Sequence, residues 1–565
     1  MNATGPLLET EIAPDEVAVE SMRTDSVARL SPPPAAFVAV DAPPVSGGAE
    51  TERLHDAAEP GACDVCLPRA NRSRATADTL ANSLLVLCLL SLVQPVLGLA
   101  RGVLFCRWLA PDQLGRWDLS LGLLTFATPL LLLGIPGSFG RYVGHYLQHG
   151  GLGRFVRQAV LICLTVVSLA SVLLFVEAGA FADLYYGDAT RISLARAVAL
   201  ALVPLAGYGF VVELLTALRL FRVSSLVQLA RTTAFLVFGM VLVWGWRPSA
   251  TSVVLAFAMA SVASIMLGLW WLVAVWREAP RVPIDGPVVV WRRVLPFALG
   301  VWCCNLVTNA FDMVNPYMLA HCGRLPHEEA MAEVGNLHSA RILPLLIFAF
   351  SSTLASMLLP HLTHSWEQGR RDEVGRDVRL FAKLYAVALA AGSVGVLILA
   401  PFLFGVVFRG KYDGGLHVLP WTLMSASWMG VAFIAQAYLW CREEARLSSF
   451  ALAIGLAMNL LCNALLVPQW GLQGTVTASA TGMLTVLAAA LLFGQRFGLR
   501  VDRTLWAAVS LPALVLLGTW PAAIALVALI IASSTTSLVF DAAERHRIAD
   551  LIRATVRHVP MVPVR

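Results

Sequence analysis

Polar side chains set inside long apolar stretches are the residues of this chain that could do chemistry. Arg101, Glu213, Arg231 and Asp312 stand within such stretches, as do Gln436 and the amides Asn305, Asn309, Asn459 and Asn463. Asn305, Asn309 and Asp312 are spaced by four and three, so a helix puts them on one face. Asn459 and Asn463 are an i,i+4 pair. A charge inside a membrane span is costly and faces a water-filled cavity or a partner. The other reading is that amides and charges bind helix to helix. For the asparagines both readings stand. Arg101, Glu213 and Asp312 favour the cavity. Arg219 and Arg231 fit either a cavity or the rim of the membrane.

The elements that position these residues are apolar blocks of about twenty residues, following one another from about Leu80 to Phe540. That length carries a helix across a hydrocarbon core of about 30 Å. Hydrophobic residues make up 58% and charged residues 14% of the chain, against roughly 45–50% and 25% in soluble domains. The reading is an all-α polytopic membrane protein. Spans are expected near 82–105, 117–136, 156–176, 195–217, 226–246, 251–276, 295–320, 340–361, 383–408, 415–441, 447–468, 473–494, 504–518 and 521–540, about fourteen in all. The pattern divides into a disordered N-terminal tail (1–80), a six-helix bundle (81–290), a second (291–497), two further helices (498–541) and a C-terminal tail (542–565). The tail before residue 80 is rich in proline, glycine and acids, with no apolar periodicity.

Orientation follows from the basic residues. With the N-terminus inside, and leaving out Arg101 and the distal tails, the alternation places 27 Lys/Arg on the inner side and 9 on the outer. The positive-inside rule then puts both termini in the cytoplasm.

The halves repeat. Gly115 and Arg141 are 26 residues apart, as are Gly335 and His361, at an offset of 220. Gly153–Arg157 before the third span matches Gly375–Arg379 before the ninth, at 222. A six-span offset preserves orientation, so the halves are expected to be parallel repeats about an axis along the membrane normal. Substrate sites in such folds lie between the repeats.

Several chemistries are excluded. No extramembrane loop exceeds about thirty residues, too little for a soluble catalytic domain. Gly405 to Lys411 fits GxxxxGK, but Tyr412 follows where a P-loop needs Ser or Thr, and a transmembrane helix precedes it in place of a strand. Cys63 and Cys66 form a lone CxxC with no second ligand pair. His361 and His364, at a helix end, read as interfacial. The net charge of +5 carries no clustered basic face for nucleic acid.

Taken together, certain residues resemble a known family. Arg107-Trp108-Leu109-Ala110-Pro111-Asp112-Gln113-Leu114-Gly115 is similar to the first outer loop of Wzx-type polysaccharide flippases, of the multidrug/oligosaccharidyl-lipid/polysaccharide exporter superfamily. Leu133-Gly134-Ile135-Pro136 with Arg141, Asp312, Pro360-His361 through Gly369, Gly410-Lys411-Tyr412, and Asn459, Asn463, Pro468 and Gly471 to Gly474 resemble later parts of the same pattern. The resemblance covers about 80 to 500. It implies twelve core helices in two bundles, often with two more, around a cationic cavity. It also implies export of undecaprenyl-pyrophosphate-linked oligosaccharide across a bacterial inner membrane by a monomer, for O-antigen, exopolysaccharide or capsule. No cofactor is expected; coupling to a proton or sodium gradient or to the membrane potential is. The pathway's polymerase and glycosyltransferases are the expected partners. Arg101, Arg141, Glu213, Arg219, Arg231, Asn305, Asn309, Asp312, Asn459 and Asn463 are the cavity candidates. Two rivals are a cation-coupled multidrug antiporter on the same fold and a membrane polysaccharide polymerase or ligase. The latter needs a long outer loop, and none is present.

Overall fold

The computed structural model describes residues 80–149, 151–278, 291–537 and 539–558. The expected disorder before Leu80 and the Cys63 and Cys66 pair lie outside the described residues.

The described chain is all α, with no strand among the described residues. α1 (Leu80–Trp108) and α2 (Pro111–Leu131) meet at a two-residue turn. Pro111 sits at the first position of α2, where its missing N–H leaves no bond unmade. Leu133 and Gly134, at φ 52° and 68°, break the helix, and α3 (Phe139–His149) departs at 60°. Next come α4 (Leu152–Val176), α5 (Ala178–Tyr186), α6 (Ile192–Ala217), α7 (Phe221–Gly245) and α8 (Ala250–Glu278). The second half holds α9 (Trp291–Cys322), α10 (His327–Glu367), α11 (Arg371–Phe402), α12 (Asp413–Cys441) and α13 (Ala445–Arg496). α14 (Arg503–Ser510), α15 (Thr519–Thr535) and α16 (Ala542–His558) follow.

Among the described residues nine helices are long and apolar enough to cross a membrane, or ten with the bent α2–α3 pair. α1, at the first expected span, is not among them, and the rest of the gap to the expected fourteen has two sources. The 52 residues of α13 would stretch about 78 Å at 1.5 Å per residue, but the chain turns at Gly471 (φ 52°, ψ −124°). Its halves pack on each other, Gly482 against Asn459 and Gly455 against Val486. The expected spans 447–468 and 473–494 are these halves. The last two expected spans are short. α14 runs into a tight turn of helix over 511–517, Gly518 breaks it at φ 91°, and α15 has 17 residues. A full crossing needs about 20.

α1 and α3 to α8 pack chiefly on one another, as do α9 to α13, while α2 packs mostly on α9 and α10 and, with α1 on α10, joins the two bundles. The junction is densest near the α1–α2 turn, because glycines let backbones touch there. A Cβ on Gly115 would stand 1.9 Å from the carbonyl oxygen of Met331, and one on Gly335 2.0 Å from that of Pro111. The tyrosine turns flanking this junction clasp across it. Tyr412 and Lys411 donate to the carbonyls of Leu109 and Arg107 at 3.1 and 3.0 Å. The turn at Gly187 rests on the His327 ring.

Down α1 the bundles part. Gly102 still meets Ile342, whereas around Gly98, one turn earlier, nothing lies within 4 Å of a Cβ position. Gln94 turns instead to Ser225 of its own bundle. On the α9 side contact persists, through Gly134 against Ala298 and Trp291 on Gln158.

Lys383 is fully buried. It donates to Glu544 of α16 at 2.9 Å and to Thr504. Arg379 holds Glu544 at 2.9 Å, Asp502 at 3.0 Å and Asp541 at 3.6 Å. The segment 542–565 therefore begins as a helix pinned to α11 by ion pairs.

Candidate functional site

Two of the expected charges come together. Arg101 on α1 lies over the ring of Phe235 on α7, 4.4 Å from its centroid. Arg231 on α7 lies 4.0 Å over Tyr208 of α6 and 5.0 Å over Phe257 of α8. Phe235 and Phe257 are in contact at 4.8 Å, so the two guanidiniums flank one aromatic stack. Trp117 and Phe105 close that stack from α2 and α1. Arg101 and Arg231 are within electrostatic range of each other. Neither has an ion pair among the described residues, and both are half-buried. Aromatic faces stabilise a desolvated cation by up to about 2 kcal/mol. They do not remove the repulsion between two cations. An anion placed between them would.

Glu213 is half-buried on α6, five residues beyond Tyr208, and has no partner among the described residues. Arg141 is exposed on α3 and lies 5.3 Å over Phe297 of α9, bridging the bundles at the end away from the glycine junction. Arg219 is exposed in the α6–α7 turn at φ 60°, where it shapes the turn. Asn309 donates to the carbonyl of Asn305 at 2.7 Å, on the face of α9 that carries Asp312. Asp312 is largely exposed and lies 3.9 Å from Arg341 of α10.

Asn459 and Asn463 do not face a cavity. Both are fully buried and donate to the Oδ1 of Asn315 on α9, at 3.2 and 3.1 Å. Here the helix-binding reading of buried amides holds.

The sequence reading missed a second group. Asp118 on α2 meets Nδ1 of His338 on α10 at 2.6 Å, and Arg341 lies 3.8 Å from its other oxygen. With Asp312 this makes two carboxylates, one guanidinium and one imidazole spanning both bundles. The signal was present: Asp118 follows Gly115 by three residues, as His338 follows Gly335.

Residues 80–366 match the family described as "Polysaccharide biosynthesis protein". The chain belongs to that family. It is 26% identical over 234 residues to "Uncharacterized membrane protein YabM" of Bacillus subtilis (strain 168), covering 40% of this chain and 43% of that relative. The match thus spans less than half the relative's length. The structure described as "Lipid II flippase MurJ, inward closed conformation" superposes at a TM-score of 0.59 and 11% identity, covering 77% of this chain and 92% of the other. The structure described as an inward-facing multidrug resistance MATE family transporter of the MOP superfamily superposes at 0.55 and 13%, covering 72% and 94%. At these identities the likeness is one of fold. This member of the polysaccharide biosynthesis family is a multi-pass membrane protein with a transporter fold.

Proposed function

We propose that the protein is a flippase. It carries a pyrophosphate-linked oligosaccharide lipid from the inner to the outer leaflet of a bacterial inner membrane, by alternating access between two bundles, 81–290 and 291–497. The observation that carries this reading is the Arg101 and Arg231 pair, two half-buried guanidiniums without a carboxylate, set among aromatic rings. A cation-exporting site on the same fold would put carboxylates there. The pyrophosphate would sit between the arginines, each offering two parallel N–H donors. Tyr208, Phe235 and Phe257 would hold the guanidinium planes in place and offer apolar faces beside them.

The glycine junction and tyrosine clasps close one end, which the basic-residue balance assigns to the outer face. Cargo enters from the other end, where α1 parts from α10. The membrane potential assists. A pyrophosphate of about two negative charges moving outward gains roughly 4–5 kcal/mol per 100 mV, at ~2.3 per charge.

Deleting the gene in a host that makes surface polysaccharide tests the reading. The expected outcome is loss of surface glycan with lipid-linked precursor accumulating in the inner leaflet. Normal surface glycan, with sensitivity gained to cationic drugs, would instead identify a drug antiporter.

A further inference from the structure

We propose that the cleft between α11 and α16 binds the phosphate headgroup of an anionic phospholipid. The site is separate from the arginine pair and does not depend on what the protein transports.

The sequence puts this cleft at a membrane surface. No charged residue lies between Lys383 and Arg409, a length that crosses the hydrocarbon core. None lies between Arg503 and Asp541, the stretch that holds α14 and α15. Charges resume on both at one place, because Lys383 and Arg379 of α11 pair with Asp502, Asp541 and Glu544. That place is one edge of the apolar layer, where phospholipid phosphates stand. The basic-residue balance assigns it to the inner face.

The cleft has a volume of about 380 Å³ and is lined by Arg376, Arg379, Leu380, Ala543, Glu544 and Arg547. Arg376, Arg379 and Leu380 follow at three and four, on one face of α11. Ala543, Glu544 and Arg547 keep the same spacing on α16. The wall thus carries three guanidiniums and one carboxylate. Glu544 is taken up by Arg379 and by Lys383, each at 2.9 Å. Asp502 and Asp541 also fall to Arg379, and Asp377 falls to Arg547. Arg376 is exposed and meets no carboxylate among the described residues. Arg547 is 47% exposed and gives Asp377 its Nη1 at 2.9 Å. A guanidinium has five N–H donors, so both arginines keep donors for a further ligand.

An anion suits this wall, and the surroundings select which one. The guanidinium fork matches phosphate oxygens with two parallel bonds. Leu380 and Ala543 offer an apolar side to the glycerol and the first methylenes of a lipid, for which a free phosphate ion has no use. Basic pockets between helices at the inner face suit anionic headgroups, whose phosphates are concentrated at that surface. A headgroup in the cleft would tie Arg376 of α11 to Arg547 of α16. It would complete the belt of ion pairs that holds α16 in place.

The test uses the full chain in nanodiscs made of equal parts phosphatidylglycerol and phosphatidylcholine, without cargo. A photo-crosslinking p-benzoylphenylalanine stands in place of His546, exposed on α16 three residues past Ala543. Captured lipid is identified by mass. The otherwise wild-type protein should capture phosphatidylglycerol in clear excess. Arg376→Gln breaks no ion pair and should cut that excess about five-fold, the worth of one arginine near an anionic surface. Arg553→Gln removes the same charge from α16 outside the cleft, where Arg553 meets Asp550 of its own helix. It should leave the excess unchanged. Equal capture of the two lipids, an Arg376→Gln variant that keeps the excess, or the same loss from Arg376→Gln and Arg553→Gln would each overturn the site. Displacement of the lipid by inorganic phosphate would overturn a phospholipid as its occupant. Flipping is not measured, so every such failure leaves the flippase reading intact.

Discussion

Gly115 and Gly335 each lie against the backbone of the helix that carries the other. Gly115 meets the carbonyl of Met331, and Gly335 meets that of Pro111. Met331 and Pro111 are 220 residues apart, as are the two glycines. The contact is thus made twice by equivalent residues, as a two-fold axis between two parallel repeats requires. Asp118 and His338, also 220 apart, meet across the same axis.

Alanine at either glycine should therefore destabilise the protein. In an ordinary helix Gly→Ala gains up to about 1 kcal/mol. Here the added methyl would overlap a carbonyl oxygen that cannot rotate away, an overpacking that costs roughly 1–3 kcal/mol. Thermal unfolding in detergent should show a lower midpoint for Gly115→Ala and Gly335→Ala. Alanine at Gly98, where space is open, should leave it unchanged or raise it.

Arg101→Ala and Arg231→Ala should abolish glycan export while the protein accumulates in the membrane as before. Lysine at either position should rescue partly, since it keeps the charge and loses the planar fork. Surface glycan divided by membrane protein level is the measurement. Normal export per molecule from both alanine variants would remove the arginines from the site.

Asn315→Ala should do the opposite. It would leave the buried Asn459 amide without its acceptor, at about 1–3 kcal/mol, while Asn463 keeps its bonds to the Asn459 carbonyl and Oδ1. Protein abundance should fall, with export per surviving molecule unchanged. Reduced export at normal abundance would return these asparagines to the transport path.

Acid should loosen α14 from α11 through Asp502, which caps α14 and pairs with Arg379 and Lys383. Partial burial pushes the Asp502 carboxyl up, but the Leu505 N–H, the Thr504 hydroxyl, Lys383 and Arg379 outweigh it and hold the group below the usual carboxylate range. A depressed carboxylate stabilises the fold above its unfolded value, near pH ~4. That contribution is lost as pH falls through the folded value. Protease protection of 503–510 should persist at neutral pH and fail only in stronger acid. Asp502→Asn should lower it at neutral pH. Protection that instead declines between pH 7 and 5 would point to a different group.

Much of this was legible in the sequence. Hydrophobic length alone located α4 and α6 to α12, since a membrane helix has few ways to be anything else. The repeat was legible through glycines, because close backbone approach admits no substitute. The Asp118 and His338 pair escaped because the repeat shows which positions are equivalent and not which of them meet across the two-fold axis. Asn459 and Asn463 read as cavity candidates because spacing fixes their face and not what covers it. Asn315, three residues past Asp312 on the same helix, supplied the cover. The last two spans were overcounted because composition registers apolar character and not the break at Gly518.

The central claim is that this fold moves an anionic lipid-linked glycan past Arg101 and Arg231. Purified protein in liposomes, given a pyrophosphate-linked oligosaccharide lipid in one leaflet, tests it directly. Transfer is read by an enzyme that trims only glycan exposed on the outside. Wild type should transfer it well above empty liposomes, the Arg101→Ala, Arg231→Ala double variant should not, and the same glycan on an uncharged carrier should stay behind. Equal transfer by wild type and double variant, or of charged and uncharged lipid, would contradict the account.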